Sequence, residues 1–412
     1  MKKNIKKYFI IFIITYLLIS ELILKKISIL KYSDEVITVI FGIYIIIRLI
    51  NSKIIIKREL KNIFISYIII ILIGIVGNLI FEVQSNKLAI ALDMLSFSKI
   101  FICSIGLTIM LGKDETQSII NKFYIPSKLF LIVATIFGII SLFIDLGMRG
   151  EKRFGFYAYN FLYEYEHIFS ISVLIAYLFL KNKEIVENQK IGIYKILAII
   201  CMILTTKGPS LIWACSILII ENYFKKNNKL NIFIISIFAI MIILLGQYQI
   251  TNYIKTTDSP RYLLYKYSII NMDRYKPSGS GFATYGSDMA SKYYSKLYYD
   301  YGFYNRYGMS EEQRWFLNDN YWPMIIGQFG IISIIIYIYI IYNLYKIIIN
   351  AKIDSRLKGS LIACILYLII HSLGSSTPST SVAVTLMLVI VLILHNSQEK
   401  INEYNNKNKK IY

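Results

Sequence analysis

The sequence predicts an all-α, polytopic membrane protein of about twelve transmembrane helices, with one large extracytoplasmic loop that contains short amphipathic helices. Three observations predict it. Hydrophobic residues fill 56% of the 412 positions and the mean hydropathy is positive. They gather into repeated apolar runs long enough to cross a bilayer core, which takes roughly 20 helical residues. Lys and Arg concentrate in alternate gaps between those runs, the pattern that orients membrane helices.

In chain order the runs lie near 8–24, 34–50, 62–81, 89–111, 126–146, 168–180, 191–206, 208–222, 230–248, 322–345, 358–374 and 379–395. None alternates in polarity as a barrel strand does, and backbone groups without water must bond within a helix. The first run has the basic flank of a signal peptide but no small-residue cleavage site, so it reads as a retained helix. The neighbours 191–206 and 208–222 also read as one bent element. The whole chain, 1–412, is thus a single integral-membrane domain with the loop 249–321 inside it. Clusters such as Lys2, Lys3, Lys6 and Lys7, or Lys53, Lys57, Arg58 and Lys61, place both termini in the cytoplasm and the long loop outside. Lys25, Lys26 and Lys31 are the one cluster against that orientation.

Composition also excludes classes of function. A net charge of +20 in a soluble chain would point to nucleic acid, but here the excess sits at the ends of apolar runs. Cys103, Cys201, Cys215 and Cys364 lie inside those runs without a CxxC pair, so they read as small hydrophobes. Only His167, His371 and His395 are present, none spaced for a metal site.

The tyrosine-rich loop has nearly balanced charge and is able to fold. Ser259-Pro260 reads as a helix start ahead of Leu263, Leu264, Tyr267 and Ile270 at helical spacing. The stretch Gly279-Ser280-Gly281-Phe282-Ala283-Thr284-Tyr285-Gly286 reads as a flexible turn. Ser287-Asp288 then caps a second helix carrying Met289, Tyr293, Leu297 and Tyr301. Both helices are expected at the membrane surface, apolar face down.

Five sets of residues are candidates for chemistry on an anionic, water-soluble group. Arg261 falls in the first turn of the loop helix, where the macrodipole disfavours a cation unless an anion is bound; snorkelling to headgroups is the alternative. Lys207 stands alone at a break between two runs, either a functional charge or a solvated turn. Arg149, Lys152 and Arg153 are outer positives that run against the orientation rule. Together these segments offer cations sufficient for a diphosphate without metal. Asp319, just before the run at 322, suits a general base for a hydroxyl, or an ordinary helix cap. His371, near an outer helix end, either faces the same vestibule or is structural. Asp93 and Lys99, within the fourth run, are each expected to find a polar neighbour.

The architecture and two motifs resemble the bacterial O-antigen polymerase and O-antigen ligase superfamily of membrane glycosyltransferases. The stretch from Ser259-Pro260-Arg261 to Gly286 is similar to the family's loop signature. Asn318-Asp319-Asn320-Tyr321-Trp322 followed by Ile326-Gly327-Gln328-Phe329-Gly330 is similar to its loop exit and next helix. The resemblance implies polymerisation of oligosaccharide units on undecaprenyl diphosphate, without cofactor, at the outer face of the bacterial cytoplasmic membrane and with inversion. By that implication Arg261 stabilises the leaving diphosphate and Asp319 activates the acceptor, while Arg149, Arg153, Lys207, Gly279, Gly281, Tyr285, Asn320, Trp322 and His371 contact substrate. Its partners would be the lipid-linked oligosaccharide, the bilayer, and a flippase and chain-length regulator of the same pathway, with no nucleic acid. Asp319 stands where ligases carry His, which favours polymerase over ligase. Lys207 stands where many members have Arg, keeping charge but losing the bidentate fork. Ligation of finished glycan, or transport of lipid-linked oligosaccharide, are the competing functions.

Overall fold

The computed structural model describes residues 2–23, 32–51, 57–111, 115–187, 192–224 and 258–409, with side chains to Asn396 and short pieces between 227 and 256. The run at 230–248, the start of the long loop and Lys25, Lys26 and Lys31 lie largely or wholly outside the described residues.

The described chain is mainly helical. Helices α1 (Lys2–Ile23), α2 (Ser33–Asn51), α3 (Arg58–Phe81), α4 (Lys87–Met110) and α5 (Thr116–Phe143) precede a hairpin of β1 (Arg149–Arg153) and β2 (Phe156–Tyr159). Then come α6 (Glu166–Glu187), α7 (Gly192–Leu204) and α8 (Gly208–Phe224). Beyond the partly described stretch are the loop helices α9 (Pro260–Arg274), α10 (Asp288–Lys292) and α11 (Lys296–Asp300). The chain closes with α12 (Tyr321–Asn350), α13 (Ser355–Ser372) and α14 (Ser381–Lys409).

Among the described residues five helices, α3, α4, α5, α12 and α13, are long and apolar enough to cross a membrane. These account for five of the roughly twelve spans expected. Among the other described helices, α2 carries Asp34, Glu35 and Arg48 within its 19 residues, and α7 and α8 have only 13 and 17. The pair α7 and α8 is two helices, broken at Thr205–Lys207. The hairpin, unforeseen in an all-α reading, pairs Arg153 with Phe156 and Lys152 with Tyr157.

α6 sits at the centre. Its residues Ile168 to Asn182 are buried throughout, because a helix apolar around its whole circumference finds partners on every side. It packs on α5, α7, α13 and α14. A second core joins α3, α4 and α12 through Phe97, Phe101, Phe282 and Phe329.

The loop's first helix forms as expected, with Ser259 Oγ accepting from Tyr262 N at 3.3 Å and Pro260 in the first turn. Leu263 and Leu264, however, turn into the loop's own core with Tyr285, Tyr298 and Phe303 rather than outward to lipid. The expected second helix is split in two at Tyr293–Ser295.

The glycine-rich stretch is not a flexible turn. Residues 278–287 are all buried, wedged between α3, α4 and α12, whose helix is interrupted at Gly330. Polar side chains of those helices satisfy the inserted backbone, as a low-dielectric site demands. Asn78 clips Phe282 from both sides, donating to its carbonyl at 2.9 Å and accepting its N–H at 2.7 Å. Asp93 accepts from Ala283 N at 2.6 Å, and Gln328 donates to Tyr285 O at 3.0 Å. Ser280 N and Gly281 N reach the carbonyls of Gly327 and Gln328, which the break at Gly330 leaves accessible. Asp93 and Lys99 thus do find polar neighbours, Lys99 pairing with Asp34 at 2.7 Å and with Glu35.

Candidate functional site

Because successive helices run antiparallel, alternate connections gather at one end of the bundle, and there they enclose a cavity of about 1350 Å³. It is lined from α1, α2, α4, the hairpin, the start of α6, the α7–α8 turn, the start of α9, residues 314–319 and the α13–α14 connection. Segments far apart in sequence converge on it.

Arg261, placed in the first turn of α9 by the Ser259 cap, sends Nη2 to Asp319 Oδ2 at 3.2 Å. Tyr265 Oη, one turn on, donates to Leu373 O at 2.8 Å and so pins α9 to the end of α13. Asp319 comes from the turn that leads into α12. Burial raises its carboxyl above the ordinary value, although Arg261 and Lys207 pull the other way.

Lys207, at the α7–α8 turn, and Arg153, at the end of β1, share one carboxylate. Glu166 Oε2 lies 3.4 Å from Lys207 Nζ and Oε1 3.9 Å from Arg153 Nη1. Burial holds the Lys207 ammonium below the usual lysine value, with Glu166 opposing. Arg153 also pairs with Glu151, whose carboxyl that contact holds low. Three cations from three segments therefore meet in one cavity, each already set against a carboxylate.

His371 lines the same cavity. Its Nδ1 is within hydrogen-bond distance of Ser375 Oγ and Thr377 Oγ1, at 2.5 and 2.7 Å, and its ring lies 5.3 Å from that of His167.

The remaining expected site residues lie elsewhere. Arg149 turns away, its Nε bonding Ser141 O at 2.7 Å and its guanidinium lying over Tyr157. Gly279 and Gly281 are packing positions: a Cβ would come within 2.5 Å of Gln328 O at the first and of Asn78 N at the second. Tyr285 is fully buried and donates to Leu264 O at 2.8 Å. Asn320 is fully buried next to the cavity wall, and its amide finds no hydrogen-bond partner among the described residues. Gly279, Gly281 and Tyr285 are thus occupied in seating the loop, whereas the pairing of the hairpin turns Arg149 aside.

Trp322 belongs to a second space, an apolar cleft of about 370 Å³ between α3, α4, α12, α13 and α14. It begins at Trp322 and Ser372, joined by a 2.9 Å hydrogen bond, and extends to Lys57 and His395. Ser372 adjoins His371, so the polar cavity and the apolar cleft meet at the last turn of α13.

Sequence reasoning missed the carboxylates. Glu21, Asp34, Glu35, Glu151 and Glu166 all line the cavity, and Glu21, Asp34 and Glu35 lie in or beside apolar runs, where an ionisable residue is a signal in itself. No protein-family model matches the chain and no curated protein aligns with it, so the geometry alone carries the functional argument.

Proposed function

We propose that the chain is a membrane glycosyltransferase that polymerises diphosphate-linked oligosaccharide repeat units of a surface polysaccharide. The carrier would be undecaprenyl diphosphate or a similar polyprenyl lipid. In this reading the protein sits in the bacterial cytoplasmic membrane, with both termini inside and the cavity open to the outer face. The observation that carries it is the meeting of Arg153, Lys207 and Arg261 in one cavity whose wall adjoins an apolar cleft. A headgroup with two negative charges fits the first, and a polyprenyl tail the second.

Carboxylates balance the cations of the cavity. Glu166 and Asp319 pair with these partly buried cations, and an incoming diphosphate competes with them for the same groups. A diphosphate drawing Arg261 to itself releases Asp319, which then accepts the proton of the attacking hydroxyl. Charge developing on the leaving diphosphate is met by pre-positioned guanidinium and ammonium groups. The glycan moves from the leaving diphosphate oxygen to the acceptor hydroxyl, and the diphosphate departs on its lipid.

In a deletion strain, loss of a polymerase leaves single repeat units, whereas loss of a ligase leaves long chains on the carrier lipid. Single units are expected here; accumulated long chains would move the reading to ligation. A further outcome concerns pH. Because burial raises Asp319, the acid limb of elongation in proteoliposomes is expected above the ordinary 3.8 of an aspartate. Asp319→Asn should remove that limb together with most of the activity. A limb unchanged in position in that variant would assign the base elsewhere.

A further inference from the structure

The cavity is larger than the roughly 300–1,000 Å³ of a pocket for one small molecule, so a diphosphate leaves much of it unfilled. Its lining includes large, exposed aromatic side chains from different parts of the chain, Phe154 and Trp315 the most exposed of them. Trp315 is 57% exposed and meets Tyr307, itself 73% exposed, edge-on at 5.6 Å. Phe154, at the hairpin tip, is also 57% exposed. Trp315 joins no buried core cluster among the described residues.

The turn residues Phe154 and Gly155 have φ of 51° and 84°, a pair of left-handed positions for which Asn-Gly is the usual choice. A bulky side chain there is strained, and strain held at a cavity edge points toward function. Lipid contact does not account for Trp315. Arg314, Asn318, Asp319, Asp288 and Lys292 line the cavity beside it, and Arg314 Nη1 donates to Ser291 O at 3.3 Å. Flat apolar rings among hydrogen-bonding side chains match a pyranose, which has a C–H face and a hydroxyl rim. Rigid aromatics also order at small entropic cost.

We propose that Phe154 and Trp315, with Tyr307 behind, form a stacking subsite for sugar rings of the glycan chain. It deepens the glycosyltransferase reading and rests on it for the identity of the ligand. The probe is the surface polysaccharide of the native cells, freed of lipid, titrated into the protein in nanodiscs and followed by calorimetry. Trp315→Ala and Phe154→Ala are each expected to weaken binding about five-fold, while Trp315→Phe keeps most of the affinity. Trp315→Leu, apolar but without a ring face, should behave like the alanine variant, which separates stacking from mere packing.

Absence of binding to the wild-type protein, or equal affinity in variants that melt like wild type, overturns the subsite. Quenching of Trp315 emission by brominated lipid, read as the difference from Trp315→Phe, would overturn it in favour of a membrane surface. If stacking is confirmed but Arg261→Ala still elongates chains, the sugar subsite stands and the diphosphate cradle falls.

Discussion

Arg261→Ala is expected to lower chain elongation by about 10²–10³-fold while the protein still inserts and folds. Two magnitudes separate these effects. The Arg261 side chain is 25% exposed and its ion pair with Asp319 spans 3.2 Å, so the pair contributes about 1 kcal/mol or less to stability. A donor aimed at charge that develops only in the transition state counts for several times more. Arg261→Lys should also be severely impaired, since a point charge replaces a planar fork that can bridge two phosphate oxygens. The ladder of repeat units on carrier lipid measures the outcome, and the melting temperature in detergent controls for folding. Full-length polymer from a well-inserted Arg261→Ala protein would remove Arg261 from the reaction.

Gly281→Ala is expected to act the opposite way, through a marked loss of stability rather than through the chemistry. Its φ of 89° lies in the left-handed region, and a Cβ there would stand 2.5 Å from Asn78 N and 2.6 Å from Asn78 Cγ. That Asn78 amide holds both polar groups of Phe282, so moving it breaks two hydrogen bonds in the wedge that seats the loop. Gly77 faces the same contact, its own would-be Cβ lying 2.8 Å from Gly279 O. Left-handed strain and overpacking together cost about 3 kcal/mol, a large share of a typical total of 5–15. Aggregated or low-melting protein on size exclusion is the expected result. A stable but inactive Gly281→Ala protein would instead return this glycine to the substrate-contacting role its motif implies.

These two residues mark the limits of reading the chain alone. Arg261 was legible because a cation in the first turn of a capped helix conflicts with the dipole, and such a conflict asks for an anionic neighbour. Lys207 and Arg153 were legible as charges in unlikely places, and they do line the cavity with Arg261. Arg149 carried the same signal, yet the strand pairing of the hairpin turns it to Ser141 and Tyr157. Gly279 and Gly281 announced special backbone, but not whether a ligand or another helix approached it. Glu166, the carboxylate shared by two of the three cations, was passed over because one acidic residue at a helix start is ordinary.

Hydropathy and local chemistry determined what each segment is: apolar helices, the capped start of α9 and the residues with unusual charge. Those properties depend on neighbours within a turn or two of chain, so a linear reading reaches them. Tertiary packing alone decided which charges meet, because the contacts among Arg153, Lys207, Glu166, Arg261 and Asp319 span up to 58 positions and depend on how antiparallel helices stack. It also decided that the glycine stretch is a wedge rather than a hinge. That outcome depends on Asn78, Asp93 and Gln328 lying at the right heights on three separate helices, and no single segment encodes it.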